Sequence, residues 1–404
     1  MIKKIKIQQL KPGVFVHDFN CGWLHHPFLA DRRRLKSERD IEKILKYGIR
    51  DLYIDTDKGL DVDDAPTKQE AEQEIQLELN QLPASSIGSN NRRTCKGDFA
   101  RAKELIAEVK ETTKRLMHDV RLGKRTEIKQ VEGIVERMTD SVLRNQDALV
   151  SLLRIKNVDE YTYLHSMAVS ALCISFAQCL GFDTEKIKQI GIGGLLHDIG
   201  KMRVPREILN KPGPLTEKEF VIMKQHVTYG ESIVQHGNLD VRCICVISHH
   251  HERLDGSGYP EGLKGEQISL FGQMAAIVDI YDALSSERCY KKAMSPTDAL
   301  KKVYEWGRSY LNRELAEKFI AHLGIYPIGT LVRLGNRFVG VVVAHGEKDL
   351  LHPVVRAVYD IRKGTLIDPI DFDLARQFSA GNFHEIVSCE SGDKWKIEAA
   401  DYLY

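Results

Sequence analysis

Helical periodicity over more than half of this 404-residue chain is the pattern that most constrains its fold. Between Phe99 and His322 apolar side chains recur three, four and seven residues apart, as at Ile128, Val131 and Val135. This spacing is typical of helices with one buried face, whereas strands alternate every second residue. The sequence therefore predicts a mainly α protein with a helical core.

The segments that flank this region have different patterns. Residues 1–63 predict a small α+β domain, and residues 64–96 are polar and predict a linker that is helical in part. The helical region spans residues 97–324. Residues 325–404 predict a β-rich C-terminal extension, in which Gly335-Asn336 is typical of a hairpin turn.

The N-terminal domain is predicted in more detail from short apolar patterns. Ile5 to Ile7 and Val14 to Val16 indicate strands around a turn at Pro12-Gly13. Ile41, Ile44 and Leu45 mark a short amphipathic helix, and Leu52 to Ile54 indicate a further strand.

Composition excludes several classes of protein. The 58 Lys and Arg residues balance 57 Asp and Glu residues, so bulk charge would not hold duplex nucleic acid. The apolar stretch Met167 to Phe182 is too short for a membrane span, and the N-terminus has no apolar region typical of a signal peptide. The eight cysteines are scattered, which indicates a reduced, cytoplasmic protein without a disulfide framework.

Histidine is concentrated in one part of the chain, with seven of the 15 histidines between His165 and His251. Metal sites need imidazoles and carboxylates that converge from several elements. The candidate ligands in and near this window are His165, His197, Asp198, His226, His250, His251 and Asp279.

The pair His197-Asp198 ends the apolar run Ile192 to Leu196, so its polar groups need a partner. A metal ion would satisfy them, and so would a hydrogen bond within a buried His/Asp pair. Lys201 follows four residues after His197, where a cation could hold a phosphate oxygen.

The other histidines are ambiguous when each is taken alone. His165 fits a satisfied core histidine as well as a ligand, and His226 fits an ordinary surface of the helix that Thr216 and Glu219 begin with a capping box. His250 and His251 stand at the end of an apolar helix, where two neighbouring side chains can converge on one site.

Carboxylates and cations follow the histidines along the chain. The glycines and proline between Asp255 and Pro260 predict a turn that could wrap a ligand, and His249 is expected to be structural. Asp279 lies in an apolar helix, and the Arg288 to Lys291 segment could bind phosphates and stack a base. A solvated helix end is the alternative for that segment.

Taken together, these segments resemble the HD-GYP family over roughly residues 150–315. The resemblance rests on the order and intervals of HDIGK (197–201), KPGPLT (211–216), KQHVTYG (224–230), HHERLDGSGYPEGL (250–263) and VDIYDALSSERCYKK (278–292). The N-terminal region and the β-rich tail also look like those of one subgroup of this family.

The resemblance implies an HD-superfamily helical core and a phosphodiesterase of bacterial second messenger signalling. The substrate would be a cyclic dinucleotide, with cyclic di-GMP the default and cyclic GMP-AMP the competitor. The seven candidate ligands would form the metal shell, with Asp198 bridging two ions, Lys201 at the scissile phosphate, and substrate contacts at Tyr259, Arg288 and Lys291.

One position departs from the family pattern. Members with a third metal carry a glutamate four residues before the first ligand histidine, and here that residue is Tyr161. The sequence therefore predicts a binuclear metal centre, with iron or manganese expected and zinc, nickel or cobalt as alternatives.

A hydroxide held between two ions would attack phosphorus and open the ring to a linear dinucleotide, while Lys201 stabilises the developing charge. Two other functions compete: a non-catalytic cyclic dinucleotide receptor that signals through protein partners, and an HD phosphohydrolase of ordinary nucleotides. The second leaves residues 250–263 unexplained. A homodimer or a signalling partner bound through the N-terminal domain is a further expectation.

Overall fold

The protein consists of an N-terminal sheet unit, a helical body and a C-terminal sheet, as seen in a computed structural model. The structure describes residues 1–21, 32–83, 96–124, 127–155, 161–237, 239–286, 293–346, 349–379 and 384–404. Helices dominate, which confirms the predicted mainly α class. Among the described residues, no helix has both the length and the apolar character of a membrane span.

The N-terminal unit is a four-stranded antiparallel sheet with one helix and a core of its own. Its elements are β1 (Ile2–Lys6), β2 (Phe15–Asp18), β3 (Arg33–Arg34), α1 (Glu38–Lys46) and β4 (Asp51–Asp55). The strand order is β1-β4-β2-β3. The strands that flank Pro12-Gly13 are therefore not partners: β4, whose Leu52 and Ile54 are fully buried, takes the central place between them.

The helical body follows, and its core is continuous from α2 to the C-terminal sheet. Its helices are α2 (Lys68–Asn80), α3 (Lys96–Arg121), α4 (Ile128–Arg144), α5 (Gln146–Arg154), α6 (Tyr161–Cys179), α7 (Thr184–Leu196), a 3₁₀ helix (Ile199–Arg203), α8 (Arg206–Leu209), α9 (Glu217–Lys224), α10 (His226–Val234), α11 (Val241–His249), α12 (Leu270–Ser285), α13 (Pro296–Gly307) and α14 (Arg313–Leu323). Helix α2 lies inside the segment predicted as a linker.

Helix α6 is buried on all sides over residues 165–177, as expected for a helix without a charged face. Met167, Leu172 and Phe176 are all fully buried. Helix α7 packs closely against it, since a Cβ added at Gly194 would lie only 2.9 Å from the Cα of Ser170. This close approach brings the end of α7 next to the start of α6, where the first predicted ligand lies.

The C-terminal extension is a five-stranded antiparallel sheet that shares the core of the helical body. Its elements are β5 (Leu331–Leu334), β6 (Phe338–Ala344), β7 (Val354–Asp360), β8 (Thr365–Asp373), α15 (Leu374–Ser379), β9 (Ile386–Cys389) and α16 (Gly392–Trp395), in the strand order β8-β7-β6-β5-β9. Leu334 pairs with Phe338 across the turn, which confirms the hairpin at Gly335-Asn336.

Candidate metal centre

All seven predicted ligands lie together inside the helical body, and each is less than one tenth exposed. Their donor atoms fall into two groups, within each of which the atoms lie no more than 4.8 Å apart. One group is His165, His197 and Asp279, and the other is Asp198, His226, His250 and His251. Buried imidazoles and carboxylates at this density are consistent with a divalent metal centre.

Three of the histidines lie at or just beyond a helix C-terminus. His197 directly follows α7 and His250 directly follows α11, whereas His226 lies two residues after α9 and is the first residue of α10. In each, Nδ1 donates a hydrogen bond of 2.8 Å to the carbonyl three residues earlier. Carbonyls in the last turn lack intrahelical partners, so a following imidazole can use them. Because the carbonyl holds the proton of a neutral imidazole on Nδ1, Nε2 of that imidazole can present its lone pair to the site.

His165 reaches the site from α6 and is oriented by a carboxylate instead of a carbonyl. Its Nδ1 lies 2.7 Å from Oδ2 of Asp282 on α12. Its Nε2 lies 3.1 Å from Oδ1 of Asp279, one turn earlier on the same helix. Asp279 is therefore a candidate ligand, whereas Asp282 orients the imidazole of His165.

Asp198 lies between the two groups of donors. Its Oδ2 is 3.3 Å from Nε2 of His197 and 3.6 Å from Nε2 of His165. Its Oδ1 is 3.4 Å from Nε2 of His226 and 3.9 Å from Nε2 of His250. Each oxygen of this one carboxylate thus faces a different pair of histidines, which is the arrangement that a bridging ligand requires.

The buried environment sets the protonation of these groups. Burial lowers the pKa of His226 to about 4 and that of His250 to about 3, so both imidazoles are neutral and able to bind a cation at neutral pH. Burial alone would raise the pKa of Asp198, but the charges of His197 and Lys201 hold it well below its usual range. Asp198 is therefore ionised.

Lys201 reaches the site from the 3₁₀ helix that follows His197-Asp198. Its Nζ lies 2.5 Å from Oδ2 of Asp198, and its side chain is 22% exposed. His197 and Lys201 do not share one α-helix, because α7 ends at Leu196 and Lys201 belongs to the 3₁₀ helix. A Cβ added at Gly200 would lie 1.8 Å from the carbonyl oxygen of His226, so only glycine lets the two segments approach.

Tyr259 is buried, and its ring stacks on the imidazole of His251 with the centroids 4.6 Å apart. The ring also belongs to a small core that includes Phe220 and Val227. The structure therefore gives Tyr259 a supporting contact with a candidate ligand, and its contact with substrate stays a prediction. The imidazole of His249 is hydrogen-bonded to Ser269, the residue directly before α12, which confirms its structural role.

Glu252 is a site residue that sequence reasoning missed. It is 2% exposed, and its two carboxylate oxygens accept hydrogen bonds from three successive backbone N–H groups. These donors are Glu261, Gly262 and Leu263, at 2.8, 3.2 and 3.0 Å. The carboxylate thus joins the two ends of the loop over residues 252–263. Its position beside His251 was the only signal in the sequence, and it does not distinguish this role from that of a ligand.

Three sequence predictions fall on residues or side chains outside the described part of the chain. Arg288 and Lys291 are two of them, so their contacts with substrate stay predictions. The third is the side chain of Tyr161, on which the predicted absence of a third metal ion depends.

Comparison with known proteins places this site in a family. The profile described as "HD domain" matches residues 136–315, and that of a domain of unknown function, DUF3391, matches residues 2–131. A curated cyclic di-GMP phosphodiesterase of Pseudomonas aeruginosa is 36% identical over 411 aligned positions, which cover 100% of this chain and 96% of the relative. The chain belongs to the HD-GYP family. The resemblance derived from the motifs is thereby confirmed.

Other curated relatives match less than half of this chain. A 3'3'-cGAMP-specific phosphodiesterase of Vibrio cholerae is 38% identical over 165 residues, which cover 37% of this chain and 36% of the relative. A cyclic di-GMP phosphodiesterase of Thermotoga maritima is 36% identical over 182 residues, covering 43% and 50%. A solved HDG"Y"P protein of Bdellovibrio bacteriovorus has a TM-score of 0.47 at 19% identity and covers 79% of this chain and 98% of that chain.

Proposed function

We propose that this protein is a phosphodiesterase that opens a cyclic dinucleotide to the linear dinucleotide with two divalent metal ions in its site. One observation carries the proposal. The carboxylate of Asp198 stands between two groups of donors, with Oδ2 near His165 and His197 and Oδ1 near His226 and His250. A single ion would leave one of these groups without a cation.

The donors fit divalent transition metals. Three of the imidazoles are held by backbone carbonyls in the tautomer that leaves Nε2 unprotonated, and Asp198 and Asp279 are buried carboxylates. Mixed nitrogen and oxygen ligands favour iron or manganese, with zinc, nickel and cobalt as alternatives. When bound, two such ions supply a nucleophilic water at neutral pH and hold phosphate oxygens.

The chain itself supplies orientation and charge. Lys201, 2.5 Å from Asp198 and partly exposed, is placed to stabilise negative charge on the non-bridging oxygens of the phosphate as the diester opens. The C-terminal ends of α7 and α11, which precede His197 and His250, add partial negative charge toward the cations. Tyr259, Arg288 and Lys291 are proposed to contact the substrate.

The proposed substrate is cyclic di-GMP, because a relative that matches the entire chain is named for that activity. Cyclic GMP-AMP is the second candidate, since relatives named as specific for 3'3'-cGAMP match 37% and 40% of this chain. Because Tyr161 stands where a third-metal glutamate would be, we propose that hydrolysis stops at the linear dinucleotide.

The test is turnover by anaerobically purified protein whose metals are first counted by elemental analysis. We expect two ions per chain and conversion of cyclic di-GMP or cyclic GMP-AMP to its linear form, with an Asp198→Asn variant as the inactive control. Absence of turnover of both dinucleotides with metal bound contradicts the proposal. If the same sample binds intact dinucleotide tightly, the non-catalytic receptor is the function.

A further inference from the structure

A turn of the N-terminal unit contacts the loop that follows the metal-ligand histidines. This turn, residues 47–50, joins α1 to β4. Gly48 has φ of +72°, and a Cβ added to it would lie 2.3 Å from Cβ of Ser257. Nε of Arg50 lies 3.6 Å from Oδ2 of Asp255, whose side chain is only 8% exposed. The turn therefore lies directly against the loop, with no space for a larger residue at Gly48.

Apolar packing and a second ion pair extend the same contact. Tyr47 packs against the core of the N-terminal unit and also against the small core that contains Tyr259. Nζ of Lys43 lies 3.4 Å from Oε1 of Glu217 at the start of α9. Because Tyr47 belongs to both cores, displacement of the N-terminal unit would expose apolar surface beside Tyr259.

Short contacts lead from this turn to a ligand. Oδ1 of Asp255 accepts hydrogen bonds from the backbone N–H and the hydroxyl of Ser257, at 3.0 and 2.6 Å. The backbone at Gly258 is so close to that of Glu252 that a Cβ would lie 2.5 Å from its Cα. Tyr259 then donates its N–H to the carbonyl of His251 and stacks on that imidazole. The position of Asp255 is thus coupled to the position of His251.

A buried polar network holds the N-terminal unit in place on α13. Glu305 is 4% exposed and accepts hydrogen bonds from Lys4, Asn20 and Tyr53 of the N-terminal unit. Burial alone would raise its pKa, but Lys302 and Lys4 hold the pKa at about 2, so the carboxylate is ionised. A paired charge buried in this way fixes the orientation of the unit, since separation would leave it without its partners.

We propose that the 47–50 turn is a positioning element of the metal site: Gly48 and Arg50 hold Asp255 and Ser257, and this contact fixes the loop that carries His251. The N-terminal domain of unknown function is thereby part of the catalytic apparatus without touching the substrate. The consequence for turnover rests on the proposed function, whereas the consequence for metal binding does not.

The test compares two substitutions in the full-length protein. Gly48→Ala inserts a methyl group against Ser257, and Arg50→Glu places like charges at Asp255. We expect Gly48→Ala to lower kcat by about 10- to 100-fold, because small displacements of positioning groups have effects of that size. Arg50→Glu should lower kcat about 3- to 10-fold, and Arg50→Lys should restore most of it. Manganese affinity, measured by competition with a chelator, should weaken with kcat in both variants.

Matched controls separate this effect from loss of folding. Gly181 has φ of +76° and nothing within 4 Å of an added Cβ, so Gly181→Ala carries the same backbone cost without the contact. Arg39 is exposed on α1, so Arg39→Glu reverses a charge on the same unit while Gly48 and Arg50 are kept. Both controls should stay within about twofold of wild type. A folded Gly48→Ala protein with wild-type manganese affinity would overturn the proposal, even if the wild-type protein hydrolyses no cyclic dinucleotide.

Discussion

The ring of Tyr259 stacks on the imidazole of His251, with their centroids 4.6 Å apart and their planes 28° from parallel. Phe220, which belongs to the small core, contacts the same tyrosine ring edge-on. The tyrosine of the GYP segment is thus packed between the small core and the metal site. Its ring and its hydroxyl can be tested separately.

Removal of the hydroxyl and removal of the ring should have different effects. If the tyrosine acts by stacking, Tyr259→Phe keeps metal content and kcat within about twofold, while Tyr259→Ala lowers both because His251 loses its support. A contact of the hydroxyl with substrate would instead appear in Tyr259→Phe as a raised KM at unchanged metal content. Steady-state kinetics and elemental analysis of the two variants distinguish these outcomes.

Substitution of the two candidate carboxylate ligands should give different metal stoichiometries. Asp198→Asn should retain less than one ion per chain, because both groups of donors lose a charged oxygen. Asp279→Asn should retain about one, because the group of Asp198, His226, His250 and His251 keeps all its members. Elemental analysis after dialysis provides the measurement. Equal stoichiometry in the two variants would show that Asp198 does not bridge.

Loss of the Lys201 ammonium should slow turnover without removing metal. Lys201→Met should lower kcat about 10²- to 10³-fold, the usual effect of deleting a group that stabilises transition-state charge. Metal content should be unchanged or higher, because the cation beside Asp198 is gone. Lys218→Met, at an exposed position on α9, is the control. Parallel losses of metal and turnover would indicate that Lys201 only organises the site.

Acid stability should depend on His322, a buried histidine outside the metal site. Its imidazole lies 2.7 Å from the hydroxyl of Ser175, and burial, helped by the charge of His345, lowers its pKa to about 4. Between pH 6.5 and 4 the unfolded chain therefore binds more protons at this residue than the folded chain. The free energy of unfolding should fall as pH is lowered through that window, by at most about 1.4 kcal/mol per pH unit.

Urea unfolding at several pH values measures this slope. His322→Gln should make the slope shallower, whereas the exposed His118→Gln should leave it unchanged. An unchanged slope in the His322 variant would mean that this imidazole does not titrate differently in the two states.

The sequence correctly indicated that two of the candidate ligands lie at helix ends. His197 and His250 were predicted to lie where apolar runs stop, and each follows a helix. The partners of these histidines were not predictable, because the accepting carbonyls of Gly194 and Ile247 belong to the backbone and have no sequence signature. Glu252 was missed for a related reason, since its partners are backbone N–H groups nine to eleven residues away.

Strand pairing in the N-terminal unit shows the same limit. Short apolar patterns predicted the strands, but not that β4 lies between β1 and β2, since pairing depends on which strand can be buried on both sides. The contact between Gly48 and Ser257 was equally invisible, because the two residues belong to different units.

By itself, the sequence predicted the helical body, the two flanking sheet units and the seven candidate ligands, because periodicity and residue type are local properties. Only the tertiary structure decided how those ligands divide around Asp198 and that the N-terminal unit lies against the ligand loop. The physical reason is that both depend on the close packing of elements distant in the chain, such as α6 on α7 at Gly194 and the 3₁₀ helix on α10 at Gly200.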